Sequence, residues 1–351
     1  MMTMIHPAAM MKTARKPAKW FPLTSSAKNK KTDFNFMTDF WRTDIQPDSD
    51  PHKVMIIRDQ LTDEARDNRP VKIKTYYPVG REDGPFPVII WSHGLGGSVD
   101  GAAFLSRFLA SHGYIMVHVQ HDGTDSTLWE GKEGHPWDII RKMQIPRSAT
   151  LNRFFDVPFL LDRLPEWMAA NPPAGEQADL SVIGMSGHSF GALTTQVMGG
   201  MMFPDESGKL KRFKDDRFTA GILYSPGPIA HLGLDEPDDV YGSIDLPLFH
   251  MTGTDDASPV EDWDYKKRLV VYEHTERAEK HLLVIRDGDH MVFNGSRGKL
   301  GQNPNRDKHE KIIKIGALAY WDMVLKNDAA AKSWLTGGGF ADWLGEEGTF
   351  Q

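Results

Sequence analysis

The sequence predicts an α/β fold with a mostly parallel central sheet and helices on both faces. Three observations carry this. Short apolar runs bounded by proline and glycine, such as PFPVIIWSHG and SVIGMSG, read as strands buried on both sides. Segments with apolar side chains at helical spacing alternate with them along most of the chain, the arrangement that produces parallel strands joined by crossover helices. Composition fits a globular chain: among 351 residues, 40% are hydrophobic and 25% charged.

The elements follow in order. KVMIIRDQ (53–60) and VKIKTYY (71–77) read as an opening strand pair around a polar turn. PFPVIIWSHG is the first buried strand. Residues 100–112 follow as a helix, with Asp100 at its N-cap and Gly113 as its stop. YIMVHVQH (114–121) is the next strand. NRFFDVPFLLDRLPEW is a helix with Phe154, Phe155, Phe159 and Leu160 on one side, and Pro158 should kink it or mark its start. SVIGMSG is a strand and FGALTTQVMGGMM a helix, whose Met198, Met201 and Met202 read as core. FTAGILYSP, LPLFHMTG and HLLVIRDGDH are strands, with partly helical chain across 261–280. HEKIIKIGALAYWDMVLKND (309–328) is amphipathic, with Ile312, Ile313, Leu318, Trp321 and Leu325 near one face. Residues 122–151 fit least and form an insertion of mixed charge carrying Trp129 and Trp137.

Composition also excludes. With no cysteine, there is no disulfide scaffold, thiolate metal site or cysteine nucleophile. A net charge of −7 argues against nucleic acid as partner. No apolar run is long enough for a transmembrane helix. The N-terminal stretch is basic and interrupted by Pro7, Pro17 and Pro22, without the apolar core of a secretory signal. Residues 1–45 therefore read as a disordered, transit-like or tag-like arm, and 46–351 as one catalytic domain, with a cytoplasmic location expected. Oligomeric state is not set by the sequence.

Four segments carry candidate chemistry. In GHSFG, Gly187 and Gly191 flank Ser189 between a strand and a helix. That is the context of a nucleophile elbow, and the bland reading is a tight turn that contains a serine. In WSHGLGGS the glycines let backbone N–H groups approach a developing negative charge, which nominates Leu95 N–H, with Phe190 N–H after the serine, as an oxyanion hole. His93 reads there as structural. LPLFHMTGTDDASP places Asp255 and Asp256 after a strand, either able to orient an imidazole, the other free to cap or bend the loop. LLVIRDGDHMVFNG puts His290 after the last strand, with Asp287 and Asp289 as turn residues. The order serine, acid, histidine is the one an α/β-hydrolase requires.

These residues resemble the α/β-hydrolase fold, and more narrowly the bacterial predicted dienelactone hydrolases and the platelet-activating-factor acetylhydrolases. The segments carrying the resemblance are WSHGLGG, FLASHGYIMVHVQHDG, DVPFLLDRL, GMSGHSFGALTT, HMTGTDDASP and GDHMVFNG, over roughly residues 55 to 325. The resemblance implies Ser189 as nucleophile, His290 as base, and Leu95 and Phe190 as oxyanion donors. Aligning Gly253 with Ser258-Pro259 puts the acid at Asp256; counting back from Pro259, as in some polyester hydrolases, gives Asp255. True dienelactone hydrolases use cysteine, absent here, so the label implies no substrate.

The expected activity is a serine carboxylesterase acting through an acyl-enzyme on short- to medium-chain acyl or aryl esters, with no metal or organic cofactor. Trp129 and Trp137 are candidates for the pocket wall or for packing the insertion onto the body. Alternatives are a lipase or phospholipase A2-like enzyme, a polyester hydrolase, an amidase with the same triad, and a non-catalytic binding protein on the same fold.

Overall fold

In the computed structural model, which describes residues 40–47, 49–229, 235–296 and 301–351, the chain enters the sheet through β1 (Lys53–Asp63) and β2 (Arg69–Val79). They pair antiparallel, from Lys53 opposite Val79 to Asp63 opposite Arg69. β3 (Phe86–Ser92) is buried at every residue, and so is β4 (Ile115–Val119), which follows α1 (Ala103–Ser111). The expected cap of α1 is not formed. Ala102 occupies that position in the left-handed region, with no side-chain cap. Asp100 is held instead by Lys74 at 2.7 Å and by Arg58, basic side chains from the first two strands that offer the carboxylate charge as well as hydrogen bonds.

The insertion is part helix and part turn. It contains α2 (Pro136–Ile140) and the first turn of α3 (Arg147–Ala170). α3 starts well before Pro158 and runs through both Pro158 and Pro165. Its buried face, including Leu151, Phe154, Leu161 and Leu164, holds it on the sheet past both breaks. Phe155 does not join Phe154 inside: it is 44% exposed, because neighbours on a helix lie about 100° apart and cannot share one face.

α4 (Pro172–Gly175) leads into β5 (Ala178–His188) and α5 (Phe190–Met198). α5 ends at Gly199 and Gly200, so Met201 and Met202 leave the expected helix; Met198 and Met201 are core, and Met202 is half-buried. β6 (Met202–Pro204) and β7 (Leu210–Arg212) form a separate antiparallel hairpin. Then come β8 (Phe218–Tyr224), α6 (Pro237–Tyr241), β9 (Leu248–Asp255), α7 (Lys266–His274), β10 (Lys280–Asp289), α8 (Arg306–Leu325), α9 (Ala329–Thr336), α10 (Gly339–Leu344) and β11 (Gly348–Phe350).

The nine-stranded sheet has the order β1-β2-β4-β3-β5-β8-β9-β10-β11. β4, β3, β5, β8, β9 and β10 are parallel, and the antiparallel neighbours lie at the two ends. Side chains alternate across it, so Val88 and Ile90 of β3 join Leu160 of α3 and Val197 of α5 in one apolar core. α1 packs with α8. All five apolar residues nominated on α8 are buried. This is the α/β-hydrolase fold, and its parallel strands bring the segments after β3, β5, β8, β9 and β10 to one edge.

Residues 1–39 of the expected arm lie outside the described residues. Residues 40–45 are packed rather than free: Ile45 is buried, Trp41 Nε1 donates to Asp322 at 2.8 Å, and Phe40 meets Trp334 and Trp343.

Candidate active site

β5 ends at His188 and α5 begins at Phe190, so Ser189 alone makes the corner. Its backbone sits at φ 56° and ψ −113°, a region costly for any residue with a Cβ. The corner is held because the Ser189 N–H donates to Tyr224 O at 2.9 Å, at the end of the neighbouring strand. The flanking glycines have a steric cause. A Cβ on Gly191 would fall on the Ser92 carbonyl, and one on Gly187 would fall on the main chain of Gly191 and lie 2.8 Å from the Ser92 oxygen. Strand, corner and helix thus pack against the end of β3 at main-chain distance, which an ordinary serine turn does not require.

The glycine-rich loop after β3 runs directly beside this corner. A Cβ on Gly94 would lie 3.4 Å from Ser189 Cβ and 3.2 Å from the His188 carbonyl. Leu95 N–H meets no acceptor among the described residues, while the next amide, Gly96 N–H, donates to Thr124 O at 2.9 Å. Phe190 is the first residue of α5, where no intrahelical acceptor exists for its N–H. His93 is structural, as expected: its Nδ1 donates to Gly94 O at 2.7 Å, and its Nε2 accepts His121 N–H at 3.0 Å.

His290 follows β10 directly. Its Nδ1 lies 2.9 Å from Oδ1 of Asp256, which has no exposed surface. Asp256 also accepts Ser225 Oγ at 2.8 Å on Oδ1 and Thr252 Oγ1 at 2.9 Å on Oδ2. Burial pushes this carboxyl up, opposed by Arg268, Ser225 and Thr252. Asp255, by contrast, is exposed, and burial together with Asp287 and Asp289 raises its carboxyl. Of the two candidates, the structure brings Asp256 to His290. With Nδ1–H directed at that carboxylate, Nε2 carries the lone pair. Nε2 is buried without a partner among the described residues, and His290 borders the same space as Ser189. Burial, and then Arg268, push His290 well below the usual imidazole range. Its main chain is anchored too: His188 Nε2 donates to His290 O at 2.8 Å, and Asp289 Oδ1 accepts the Met291 and Val292 amides.

A second polar cluster lies beneath the loop. Ser92 Oγ is 2.9 Å from His121 Nε2, and His121 Nδ1 is 3.0 Å from Asp156 Oδ2. The residue types repeat a catalytic triad, but all three are fully buried and none lines either cleft chamber. Arg153 crosses this cluster, reaching the His93 carbonyl, Ser92 Oγ at 3.1 Å, Thr124 Oγ1 at 2.8 Å and Thr194 Oγ1 at 3.1 Å. Its guanidinium lies 4.4 Å from the Phe190 ring centroid. One side chain therefore ties the loop after β3 to the start of α5.

Two chambers meet at Ser189 and His290. One, of about 320 Å³, is lined by the loop after β3, Trp129, Glu130, Trp137 and Asn294. The other, of about 430 Å³, is lined by Phe190, Leu193, Ile229, Val260 and Trp263 and is far more apolar. Trp129 does both things the sequence left open: it borders the first chamber, and its Nε1 donates to Gly96 O at 2.7 Å. Trp137 stands edge-on to His290, with ring centroids 6.5 Å apart.

Sequence reasoning missed Ser225 and Arg268. Ser225 follows β8 at φ 55°, and its place at a strand end was the available signal. Arg268 lies in a polar helix and carried none.

Residues 51–130 match the family model described as platelet-activating factor acetylhydrolase, isoform II. The match spans β1 through Glu130, including the glycine-rich loop, and stops before Ser189. Together with the mostly parallel sheet, it fits a serine esterase of the α/β-hydrolase fold and supports a lipid or ester hydrolase in general. No curated protein matches the chain. Among the described residues, no helix is long and apolar enough to cross a membrane.

Proposed function

We propose that this protein is a serine carboxylic-ester hydrolase that works through an acyl-enzyme. The observation carrying this reading is that the strained Ser189 corner borders the same cleft as His290, whose Nε2 has no partner among the described residues and whose Nδ1 is held by Asp256. His290 takes the Ser189 proton as Oγ attacks the ester carbonyl. Leu95 and Phe190 N–H groups stabilise the oxyanion, by about 3–4 kcal/mol per donor in comparable sites. His290 then protonates the departing alcohol, and water repeats the cycle on the acyl-enzyme.

The apolar chamber beside Phe190 and Leu193 suits the acyl chain. The chamber beside Asn294 and the glycine-rich loop, the more polar of the two, suits the alcohol. The family match over residues 51–130 favours a lipid-derived ester over an aryl ester.

A p-nitrophenyl alkylphosphonate tests the reading. The expected result is release of one equivalent of p-nitrophenol with an adduct mapped to Ser189. Labelling elsewhere, or none, would contradict it.

A further inference from the structure

Besides its acid, the histidine of this site has an unusual neighbour. Arg268, on α7, is 2% exposed. Its Nε lies 2.9 Å from Asp256 Oδ1, and its Nη2 lies 2.9 Å from His290 Nδ1. The rest of the fork is committed to main-chain carbonyls: Nε to Asp256 O at 2.9 Å, Nη1 to Ser225 O at 3.1 Å and Pro226 O at 3.3 Å, and Nη2 to Ala257 O at 3.3 Å. The guanidinium also packs 4.7 Å from the Trp263 ring centroid. A side chain so fully occupied is not waiting for a substrate anion. It joins the segment after β8 to the one after β9 and sets a cation beside the imidazole, whose Nδ1–H points at Asp256.

We infer that Arg268 is a positioning residue that fixes the Asp256–His290 pair and sets the acid limit of the reaction. The inference rests on the esterase reading above. A fixed cation beside Nδ1 opposes a second positive charge on the imidazole and shares the carboxylate that would stabilise it. His290 therefore stays neutral, and able to accept the Ser189 proton, into more acidic solution. The other groups around His290 do not supply this charge. His188 on β5 is neutral, held well below its ordinary range by burial and then by His290. Asp289 spends Oδ1 on two amides. Asp255 and Asp287 form an acidic group with Asp289, and Glu261 faces the arginine. Trp137 on α2 presents an uncharged ring edge.

The test is the pH dependence of kcat/KM on a p-nitrophenyl ester for wild type, Arg268→Gln and Arg268→Lys, with circular dichroism of each. In Arg268→Gln the acid limb should move toward neutral pH by about one unit or more, with lower kcat. Arg268→Lys keeps the charge but not the planar fork, so it should retain an acid limb near that of wild type while kcat falls about tenfold or more. An unmoved limb in Arg268→Gln overturns the inference, and so does a limb in Arg268→Lys that moves as far as in Arg268→Gln. If the glutamine variant does not fold, the lysine variant decides alone: a limb near that of wild type with kcat lowered about tenfold supports the inference, and a limb moved toward neutral pH by about one unit or more, or an unchanged kcat, overturns it. Failure here differs from failure of the esterase reading, which would leave wild type without Ser189-dependent turnover at any pH.

Discussion

Asp256 Oδ1 lies 2.9 Å from His290 Nδ1, while the neighbouring Asp255 turns to solvent. One residue of register decides which carboxylate serves the imidazole. Asp256→Asn should lower kcat by about 10³–10⁴-fold, because an amide cannot hold the same tautomer or stabilise the imidazolium. Asp255→Asn should stay within a few-fold of wild type. Steady-state hydrolysis of p-nitrophenyl butyrate by the two variants separates them, and equal losses would overturn the assignment.

The steric origin of the glycines predicts a folding defect. Gly191→Ala places a methyl on the Ser92 carbonyl, and main chain cannot swing aside as a side chain can. The loss of stability should be at least about 1–3 kcal/mol, read as a lower melting temperature.

The Asp156 carboxylate is the counter-charge of the buried cluster. It meets Arg69 Nε at 2.7 Å, Arg66 Nη1 at 2.9 Å and His121 at 3.0 Å, with no exposed surface. Asp156→Ala should cost about 3–5 kcal/mol in urea unfolding, since the cations remain without it. A loss below about 1 kcal/mol would show that the cluster is solvated.

Buried histidines make stability fall in acid. Burial is the first cause in each case, holding His118 and His250 at about 3 and His121 at about 4, against an ordinary value of 6.5. Below 6.5 the unfolded chain binds protons that the folded one refuses, so this stability is complete above 6.5 and is lost as pH falls toward 3. Each such histidine contributes at most about 1.4 kcal/mol per pH unit. Urea midpoints measured down from neutral pH should fall steadily; a flat profile would mean that these rings are solvated.

Chamber shape predicts chain-length preference. Ile229→Trp fills the apolar chamber and should move the optimum of a p-nitrophenyl acetate-to-laurate series to shorter acyl chains, with acetate little changed.

How much of this was legible in the sequence follows from how each feature is encoded. Buried parallel strands are continuous apolar runs, so the sheet could be read nearly complete. Ser189, His290 and the Asp255–Asp256 pair could be nominated because each follows such a run, but which aspartate lies beside the imidazole could not be read from it. β11 could not, since its three residues, Gly348–Phe350, have no pattern and owe their pairing to β10. The Asp100 cap failed because Lys74 and Arg58, distant in sequence, compete for the carboxylate. Arg268 was invisible for the same reason: its meaning comes from three strand ends that only the fold assembles.

The most direct measurement of the central claim is hydrolysis of a p-nitrophenyl ester series by wild type and Ser189→Ala side by side. Wild type should turn the esters over, and the variant should lose at least about a thousand-fold in activity with its circular dichroism unchanged. A variant that keeps full activity, or a wild type inert on every ester, would contradict it.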